Sequence, residues 1–306
     1  MHKDTGNQGL IFSIDRFVGE DGPGIRTTIF MKGCTLKCIW CHSPQSIPRT
    51  PQLTFHKIRC IACSACVEVC PQSAQIASKD ERRVIWEKCD HCGKCAEVCP
   101  SGALEMSGRW MTVEQVMDIV VKDLEFYRNS GGGVSFCGGE PTAQPDFLVN
   151  CLKSCKSLSI HTVVDTSGAV KWTFFEKILP YTDLFLYDIK HIDSEKHRKL
   201  TGSDNKLILD NLKKLEILKK PIWIRIPLIP GCNDSEEDLR QIAEYVKPLK
   251  AVEQVTLLPY NVAAGAKYES IGKQYQLKPF DSYPLERLAA FTSIFSSQGL
   301  TTVVSR

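Results

Sequence analysis

Three cysteines stand close together near the N-terminus, in the stretch GCTLKCIWCH at residues 33–42. Cys34, Cys38 and Cys41 have the spacing Cys-x3-Cys-x2-Cys, which offers three thiolates to a metal centre that needs four ligands. A [4Fe–4S] cluster bound there keeps one iron without a cysteine, and an open coordination position distinguishes a catalytic site from a structural one. The stretch predicts a catalytic cluster whose fourth ligand is a small molecule; incidental core thiols or a zinc site are the alternative.

Two further cysteine runs, CIACSACVEVCP at residues 60–71 and CDHCGKCAEVCP at residues 89–100, repeat the pattern Cys-x2-Cys-x2-Cys-x3-Cys-Pro. This is the bacterial ferredoxin pattern, in which the fourth cysteine of each run ligates the other cluster. Structural zinc is the alternative, and two complete runs with the terminal proline argue against it. The pattern predicts two [4Fe–4S] clusters, one bound by Cys60, Cys63, Cys66 and Cys99 and one by Cys89, Cys92, Cys95 and Cys70.

The composition is ordinary for a globular protein apart from its fifteen cysteines. The 306 residues are 43% hydrophobic, and 38 basic residues nearly balance 35 acidic ones, which favours neither nucleic acid nor an anionic membrane as a partner. The first fifteen residues lack the apolar core of a signal peptide, and we see no apolar run of about 18 residues. We therefore expect a cytoplasmic protein without a membrane span, in which clustered thiols bind metal instead of forming disulfides.

Short β-rich segments alternate with helical patterns along most of the chain. The predicted strands are RTTIFMKG, GVSFC, HTVVDTS, LFLYDIK, IWIRIPLI and EQVTLLPY, and the predicted helices between them cover residues 146–158, 171–179, 204–219 and 235–247. A further long helix is expected to begin with a capping box formed by Thr112 and Gln115. About six βα units result, and they predict an α/β fold with a parallel sheet, a partial (βα)6 barrel.

The cysteine runs interrupt this pattern. A proline-rich stretch at residues 43–52 marks a boundary, so we expect a ferredoxin-like insert with two clusters at residues 47–106. Residues 9–46 and 107–306 are then expected to form the partial barrel. The three-cysteine loop follows the first barrel strand, at the end where parallel βα barrels build their active sites.

The spacing of Cys34, Cys38 and Cys41 resembles the signature of the radical S-adenosylmethionine superfamily. The chain is also similar to one family within it, the glycyl radical enzyme activating enzymes of the ferredoxin-insert type, which are related to pyruvate formate-lyase activating enzyme. This closer resemblance rests on DGPGIRTTIFMKGC at 21–34, SGGGVSFCGGEP at 130–141, DTSG at 165–168, YDIK at 187–190 and LLPYN at 257–261.

The resemblance implies an activity, its cofactors and its partners. Reductive cleavage of S-adenosylmethionine at the catalytic cluster gives a 5′-deoxyadenosyl radical, which abstracts a Cα hydrogen from a glycine of a larger glycyl radical enzyme. The implied cofactors are three [4Fe–4S] clusters, S-adenosylmethionine and a monovalent cation. A flavodoxin or a ferredoxin-type protein is the implied electron donor, and the DGPGIR loop is expected near the point where the partner's glycine-bearing loop enters.

The resemblance also assigns roles to residues. Trp40 is expected beside the adenine and the GGEP segment at the methionyl amino group. Lys190 lies on the same side of its strand as Asp188 and suits the methionyl carboxylate as a point charge. The predicted catalytic residues are Lys190, Asp188 and Arg225. The predicted cofactor contacts are Trp40, Cys41, His42, Gly138, Gly139, Glu140, Asp165, Asp188, Ile189, Lys190, Arg225 and Asn261.

Several of these residues could have structural roles instead. Trp40 could be a core residue, Lys190 a solvated strand end, and Asp165 and Asp188 surface caps instead of ligands of the cation. Arg225 is flanked by apolar residues, and because an unpaired buried arginine is costly, we expect it to face the cofactor.

Two positions depart from the family pattern. Asn261 stands where several relatives have histidine; an amide can still hydrogen-bond a ribose or adenine, and whether it replaces the histidine stays open. Cys137 replaces a common serine and is predicted to be a buried strand thiol. Cys151, Cys155 and Cys232 have no motif around them and are predicted to be structural.

Two other functional classes remain open at this point. One is a radical S-adenosylmethionine enzyme that acts on a small molecule or on RNA; the near-neutral charge and the family motifs argue against it. The other is a pure electron carrier, which has no need of a three-thiolate cluster. The sequence names neither the partner enzyme nor its pathway.

Overall fold

The computed structural model describes residues 6–78, 81–278 and 280–305. The expected absence of a signal peptide concerns in part residues 1–5, which lie outside the described residues. The strands are β1 Gln8–Val18, β2 Arg26–Met31, β3 Gln52–Phe55, β4 Gln75–Ala77, β5 Arg82–Val84, β6 Leu104–Ser107, β7 Arg109–Thr112, β8 Gly133–Gly138, β9 His161–Thr166, β10 Leu184–Asp188, β11 Ile222–Leu228, β12 Val252–Pro259 and β13 Thr302–Val304. The helices are α1 Ala65–Val69, α2 Lys94–Glu97, α3 Val113–Val120, α4 Leu124–Ser130, α5 Pro145–Ser157, α6 Trp172–Ile178, α7 Ser194–Thr201, α8 Lys206–Ile217, α9 Glu236–Val246, α10 Ala264–Glu269 and α11 Leu285–Ser296.

Within these ranges, nine strands form one large sheet in the order β13-β12-β11-β10-β9-β8-β2-β1-β7. All neighbours from β2 to β13 are parallel, whereas β1 is antiparallel to both β2 and β7. The six predicted strands occupy adjacent places in the sheet as β2 and β8 to β12. Strands β8 and β10 are buried along almost their whole length, as expected for parallel strands covered on both faces. The predicted α/β fold with a parallel sheet is confirmed.

The structure contains elements that the sequence pattern did not predict. Strands β1 and β7 add an antiparallel edge, β13 extends the parallel part, and helices α7 and α11 were not expected. The capping box is present, because the Thr112 hydroxyl accepts from the Gln115 amide (3.2 Å) and the Gln115 side chain accepts from the Thr112 amide (2.9 Å).

The prediction of a single long helix after Thr112 is wrong. A 3-10 turn at residues 121–123 divides the segment into α3 and α4. Asp123 in that turn is fully buried and accepts hydrogen bonds from Thr27 (2.8 Å) and Arg16. The turn thus directs the Asp123 carboxylate to polar groups of β1 and β2. The amphipathic pattern of the sequence did not predict this contact.

A fully buried arginine fixes the DGPGIR loop to the sheet. Arg26, the first residue of β2, donates to Pro23 O (2.9 Å), Ser135 Oγ (2.6 Å) and Val134 O (2.8 Å). Burial lowers the pKa of Arg26 to about 10, and these hydrogen bonds offset the cost of removing the guanidinium from water. The loop before β2 is therefore bound to β8.

The segment with the two ferredoxin-like runs forms a small unit beside the large sheet. Strand β3 pairs with β6, so that Gln52 lies opposite Ser107, and β4 pairs with β5. Its core includes Leu53, Val84, Cys95 and Leu104. Because β3 and β6 are antiparallel neighbours, the two ends of the segment lie close together. The boundaries at residues 47 and 106 stay a prediction.

Among the described helices, none has the length and apolar character required to cross a membrane.

Candidate functional site

The loops that follow neighbouring parallel strands meet at one cavity, at the carboxyl ends of the strands. The cysteine loop follows β2, the two glycines end β8, and acidic and basic side chains end β9 and β10. Among the residues predicted as site residues, the cavity is lined by Cys34, Cys38, Trp40, Cys41, His42, Gly138, Gly139, Asp165, Asp188 and Lys190. Residues up to 224 positions apart in sequence therefore share one cavity, since Cys34 and Leu258 both line it.

The glycines after β8 allow two backbone segments to approach closely. A Cβ atom at Gly138 would lie 2.5 Å from Met31 N, and one at Gly139 would lie 2.4 Å from Gly33 O. Gly138 also has φ +113°, a conformation that side-chain-bearing residues rarely adopt. The amides of Gly139 and Glu140 donate to Met31 O (2.8 Å) and Gly33 O (2.7 Å), so the GGEP segment is fastened directly to the start of the cysteine loop.

Glu140, a predicted cofactor contact, lies behind the cavity wall and is fully buried. Its carboxylate accepts from the hydroxyls of Thr142 (2.6 Å) and Thr166 (2.8 Å), and from the amide (2.9 Å) and hydroxyl (2.7 Å) of Ser167. The side chain thus joins the loop after β8 to the loop after β9. Charge-assisted hydrogen bonds of this kind are stronger than neutral ones, so Glu140 holds the loops that line the cavity.

Three ion pairs lie on or beside β9 to β11, one at Lys190 and two at Arg225. Lys190 Nζ is 2.6 Å from Asp188 Oδ2, and Arg225 Nη1 is 2.8 Å from Asp165 and 3.2 Å from Asp21. Burial disfavours the Lys190 ammonium, but the neighbouring Asp188 carboxylate outweighs this and raises the pKa of Lys190. Burial raises the pKa of Asp165, and the Arg225 guanidinium partly offsets that effect.

Arg225 was expected to face the cofactor; its side chain is 14% exposed and already paired, and it does not line the cysteine cavity. With Asn261 it borders a wider cleft of about 960 Å³ instead. The cleft and the cavity share Trp40 and His42, so they are contiguous. The Asn261 side chain accepts from the Ala263 amide (2.9 Å).

Ile189 does not reach either space with its side chain. It is 1% exposed and belongs to the hydrophobic core, although its amide donates to Arg225 O (2.9 Å). The alternation of side chains along an extended segment explains this, because Asp188 and Lys190 point to the cavity and the residue between them points away.

Trp40 and His42 form the wall between the cavity and the cleft. Trp40 is 7% exposed, and the His42 ring lies 3.3 Å from Lys267 Nζ. Burial, together with the Lys267 charge, lowers the pKa of His42. His42 is therefore neutral near pH 7 and able to accept a hydrogen bond.

The cysteines of the two ferredoxin-like runs are sorted into two cavities. One is lined by Cys60, Cys63, Cys66 and Cys99, and the other by Cys70, Cys89, Cys92 and Cys95. The last cysteine of each run thus lies with the first three of the other run. In the described part of the chain, no three His, Cys, Asp or Glu side chains are grouped to hold a single metal ion. A [4Fe–4S] cluster differs from an ion in having four iron atoms for its four cysteines.

Several cavity residues were not predicted as site residues. Thr166 and Ser167 line the cavity at the end of β9, and Pro227 of β11 and Leu258 of β12 line both the cavity and the wider cleft. The DTSG motif at the end of a predicted strand was the available signal for the first two. Asp21 was also missed, because its contact with Arg225 joins residues 204 positions apart.

Comparisons with known proteins agree with this architecture. The chain matches the radical SAM superfamily over residues 86–246 and a 4Fe-4S dicluster domain over residues 52–100. A choline trimethylamine-lyase activating enzyme of Oleidesulfovibrio alaskensis is 42% identical over 277 residues, covering 89% of each chain. A trans-4-hydroxy-L-proline dehydratase activating enzyme of Clostridioides difficile is 40% identical over 298 residues, covering 96% of this chain and 98% of that one.

One solved structure supports the fold alone. A radical SAM methyltransferase from Sphaerobacter thermophilus superposes with a TM-score of 0.56 at 15% identity, over 100% of this chain and 75% of that chain. The site, the fold and the relatives define a radical SAM enzyme. Within that superfamily, the chain belongs to the family of glycyl radical enzyme activating enzymes.

Replacing Glu140 by Gln tests its role in joining the two loops. An amide cannot accept all the hydrogen bonds that the carboxylate accepts, and a donor left unpaired in the interior costs about 1–3 kcal/mol. We expect the melting temperature, measured anaerobically, to fall by about 2–5 °C. The matched control is Glu125→Gln, which alters a carboxylate in an exposed ion pair with Arg128. Equal, small effects of both substitutions would show that Glu140 does not hold the loops.

Proposed function

We propose that this protein activates a glycyl radical enzyme by abstracting a Cα hydrogen from one of its glycines. The observation that carries the proposal is the cavity in which Cys34, Cys38 and Cys41 lie together with the Asp188–Lys190 pair, at the carboxyl ends of parallel strands. When bound there, a reduced [4Fe–4S] cluster and S-adenosylmethionine supply the 5′-deoxyadenosyl radical.

The donor set fits such a cluster. Three soft thiolates suit an iron–sulfur centre, and the polar groups that line the same cavity can bind a small charged molecule. The three cysteines would hold the cluster and leave one iron for the cofactor. Among relatives, the names of the activating enzymes of choline trimethylamine-lyase and of trans-4-hydroxy-L-proline dehydratase support this type of activity.

The residues around the cysteines suit the parts of S-adenosylmethionine. An ammonium has three donors, and the contact with Asp188 leaves Lys190 able to bind the methionyl carboxylate. Trp40 offers an aromatic wall for the adenine, and the backbone at Gly138 and Gly139 would border the methionyl amino group. His42, at the opening toward the cleft, would contact the nucleoside.

The monovalent cation stays a prediction. Asp165 and Asp188 both line the cavity, but each already contacts a side-chain cation, Arg225 or Lys190. A bound metal cation would have to share these carboxylates with the two side chains.

The wider cleft suits the partner's glycine-bearing segment. It is contiguous with the cavity at Trp40 and His42, and it presents Arg225 and Asn261 as groups that can hydrogen-bond a peptide backbone. A segment bound there would bring its glycine next to the S-adenosylmethionine site and exclude water from it, as radical chemistry requires. Asn261 would serve as a backbone contact instead of an acid or a base.

The insert would bring electrons to the site. We propose that Cys60, Cys63, Cys66 and Cys99 bind one [4Fe–4S] cluster and that Cys70, Cys89, Cys92 and Cys95 bind a second, giving three clusters in the chain. The two four-cysteine cavities and the dicluster-domain match support this assignment. Each cavity has one exposed cysteine, Cys63 in the first and Cys92 in the second, so a flavodoxin or ferredoxin-type donor could transfer electrons there.

Replacing Cys34, Cys38 and Cys41 together by Ala tests the proposed catalytic centre. We expect the wild-type protein to bind about twelve iron atoms and the variant about eight, at four per cluster. The variant should form no 5′-deoxyadenosine from S-adenosylmethionine with dithionite as the reductant, because only this loop leaves an iron open. Iron analysis and chromatography of the products measure both quantities.

Two outcomes would contradict the assignment. If the triple variant still produced 5′-deoxyadenosine, the catalytic centre would lie elsewhere in the protein. If the wild-type protein contained about four iron atoms and zinc in the remaining sites, the insert would not carry iron–sulfur clusters.

Replacing Lys190 by Ala tests its contact with the methionyl carboxylate. Hydrogen bonds between charged groups contribute roughly 1.5–3 kcal/mol, so the dissociation constant for S-adenosylmethionine should rise by about tenfold to a hundredfold. The iron content should not change. Lys190→Arg should recover only part of the affinity, because a planar guanidinium does not replace a compact ammonium. Isothermal titration of the reconstituted proteins gives the affinities.

The matched control is Lys196→Ala, which removes a lysine from an ion pair with Asp238 of 2.8 Å, away from the residues that line the cavity. Its affinity for S-adenosylmethionine should equal that of the wild-type protein. An unchanged affinity of the Lys190→Ala variant would exclude the carboxylate role.

A further inference from the structure

The two ferredoxin-like runs continue in the same way beyond their last cysteine and differ at one buried position. Residues 70–75 read Cys-Pro-Gln-Ser-Ala-Gln and residues 99–104 read Cys-Pro-Ser-Gly-Ala-Leu. The sixth positions, Gln75 and Leu104, are 6% and 3% exposed. At equivalent buried places, the first run thus has a polar side chain where the second has an apolar one.

Gln75 lies between the two four-cysteine cavities and lines both of them. Its side-chain nitrogen donates to Cys95 Sγ at 3.3 Å, in a buried contact. A cysteine thiolate only accepts hydrogen bonds, so the amide nitrogen, and not the amide oxygen, must face the sulfur when a cluster is bound. The Leu104 side chain has no donor that could make the equivalent bond; the other set of cysteines receives hydrogen bonds at Cys99 from the backbone of residues 101–104 instead.

Both sets of cysteines receive other hydrogen bonds, mostly from backbone amides. The Ala74 amide donates to Cys70 Sγ at 3.2 Å, but it is a backbone group of the kind that both runs can provide. Ser101 Oγ is 3.7 Å from Cys99 Sγ, a longer contact with the first set of cysteines. His91 Nδ1, 3.9 Å from Cys89 Sγ, already accepts from the Leu53 amide, so it does not donate to the sulfur.

We propose that Gln75 makes the two clusters unequal, by raising the reduction potential of the cluster bound by Cys70, Cys89, Cys92 and Cys95. The inference rests on the two-cluster assignment proposed above. A cluster that accepts an electron becomes more negative, and a hydrogen bond to one of its sulfurs stabilises the reduced form more than the oxidised form. Gln75 therefore favours the position of an electron at the cluster of Cys95.

A redox titration of Gln75→Leu tests the proposal. Leucine is chosen because the second run has Leu104 at the equivalent buried position. The titration is made on the full chain with Cys34, Cys38 and Cys41 replaced by Ala, poised with dithionite and followed by electron paramagnetic resonance, so that only the insert clusters contribute. We expect one of the two reduction equilibria to become about tenfold less favourable, which for one electron is about 59 mV. The other midpoint should not move.

Gln72→Leu is the matched control. Gln72 also lines the cavity of the second cluster, but its side-chain nitrogen donates to Asp90 Oδ2 (3.2 Å) and not to a sulfur. Both midpoints should stay unchanged in this variant.

The outcomes separate this inference from the function on which it rests. If Gln75→Leu retains about eight iron atoms and neither midpoint changes, the role of Gln75 is wrong while the two clusters stand. If the parent protein binds fewer than about eight iron atoms, the two-cluster assignment itself is wrong. If Gln75→Leu loses iron while the parent protein does not, Gln75→Met is measured instead, because it keeps the side-chain length without an N–H donor. The proposal then requires the same shift of the midpoint potential in Gln75→Met.

Discussion

A buried carboxylate is the interaction on which the arrangement of the site depends. Glu140 accepts hydrogen bonds from Thr142, Thr166 and Ser167, and so fixes the loops after β8 and β9 to each other. The backbone of the same segment is bonded to Gly33, immediately before the cysteine loop. Three loops from three neighbouring strands are thereby held as one wall. A site assembled from loops needs such rigid support, because small displacements of reacting groups are costly in rate.

The charges near the cavity favour a cation with an attached carboxylate. Asp21, Asp165 and Asp188 stand against only two basic side chains, Lys190 and Arg225, in the two ion-paired groups. Carboxylates beside the cavity are suited to a sulfonium, while Lys190 can still bind a carboxylate. S-adenosylmethionine carries both groups. The same pairing offsets part of the cost of removing the Arg225 and Lys190 side chains, 14% and 11% exposed, from most of the surrounding water.

Local patterns predicted the strands and the grouping of the cysteines, but not the contacts between distant segments. The spacing of the cysteines and the alternation of Asp188 and Lys190 are properties of short stretches, and the structure brings these residues to one cavity. The roles of Glu140 and Asp21 arise from the topology, since Asp21 meets Arg225 across 204 positions. The break between α3 and α4 was missed for the same reason, because it depends on contacts of Asp123 with β1 and β2.

The central claim is that this protein removes hydrogen from a glycine of its partner, and isotope transfer tests it most directly. Each glycyl radical enzyme of the same organism is prepared with glycine deuterated at Cα and incubated anaerobically with this protein, S-adenosylmethionine and dithionite. Mass spectrometry of the 5′-deoxyadenosine should show one deuterium with the true partner, together with an organic radical on that partner. Unlabelled 5′-deoxyadenosine with every one of these enzymes would contradict the account.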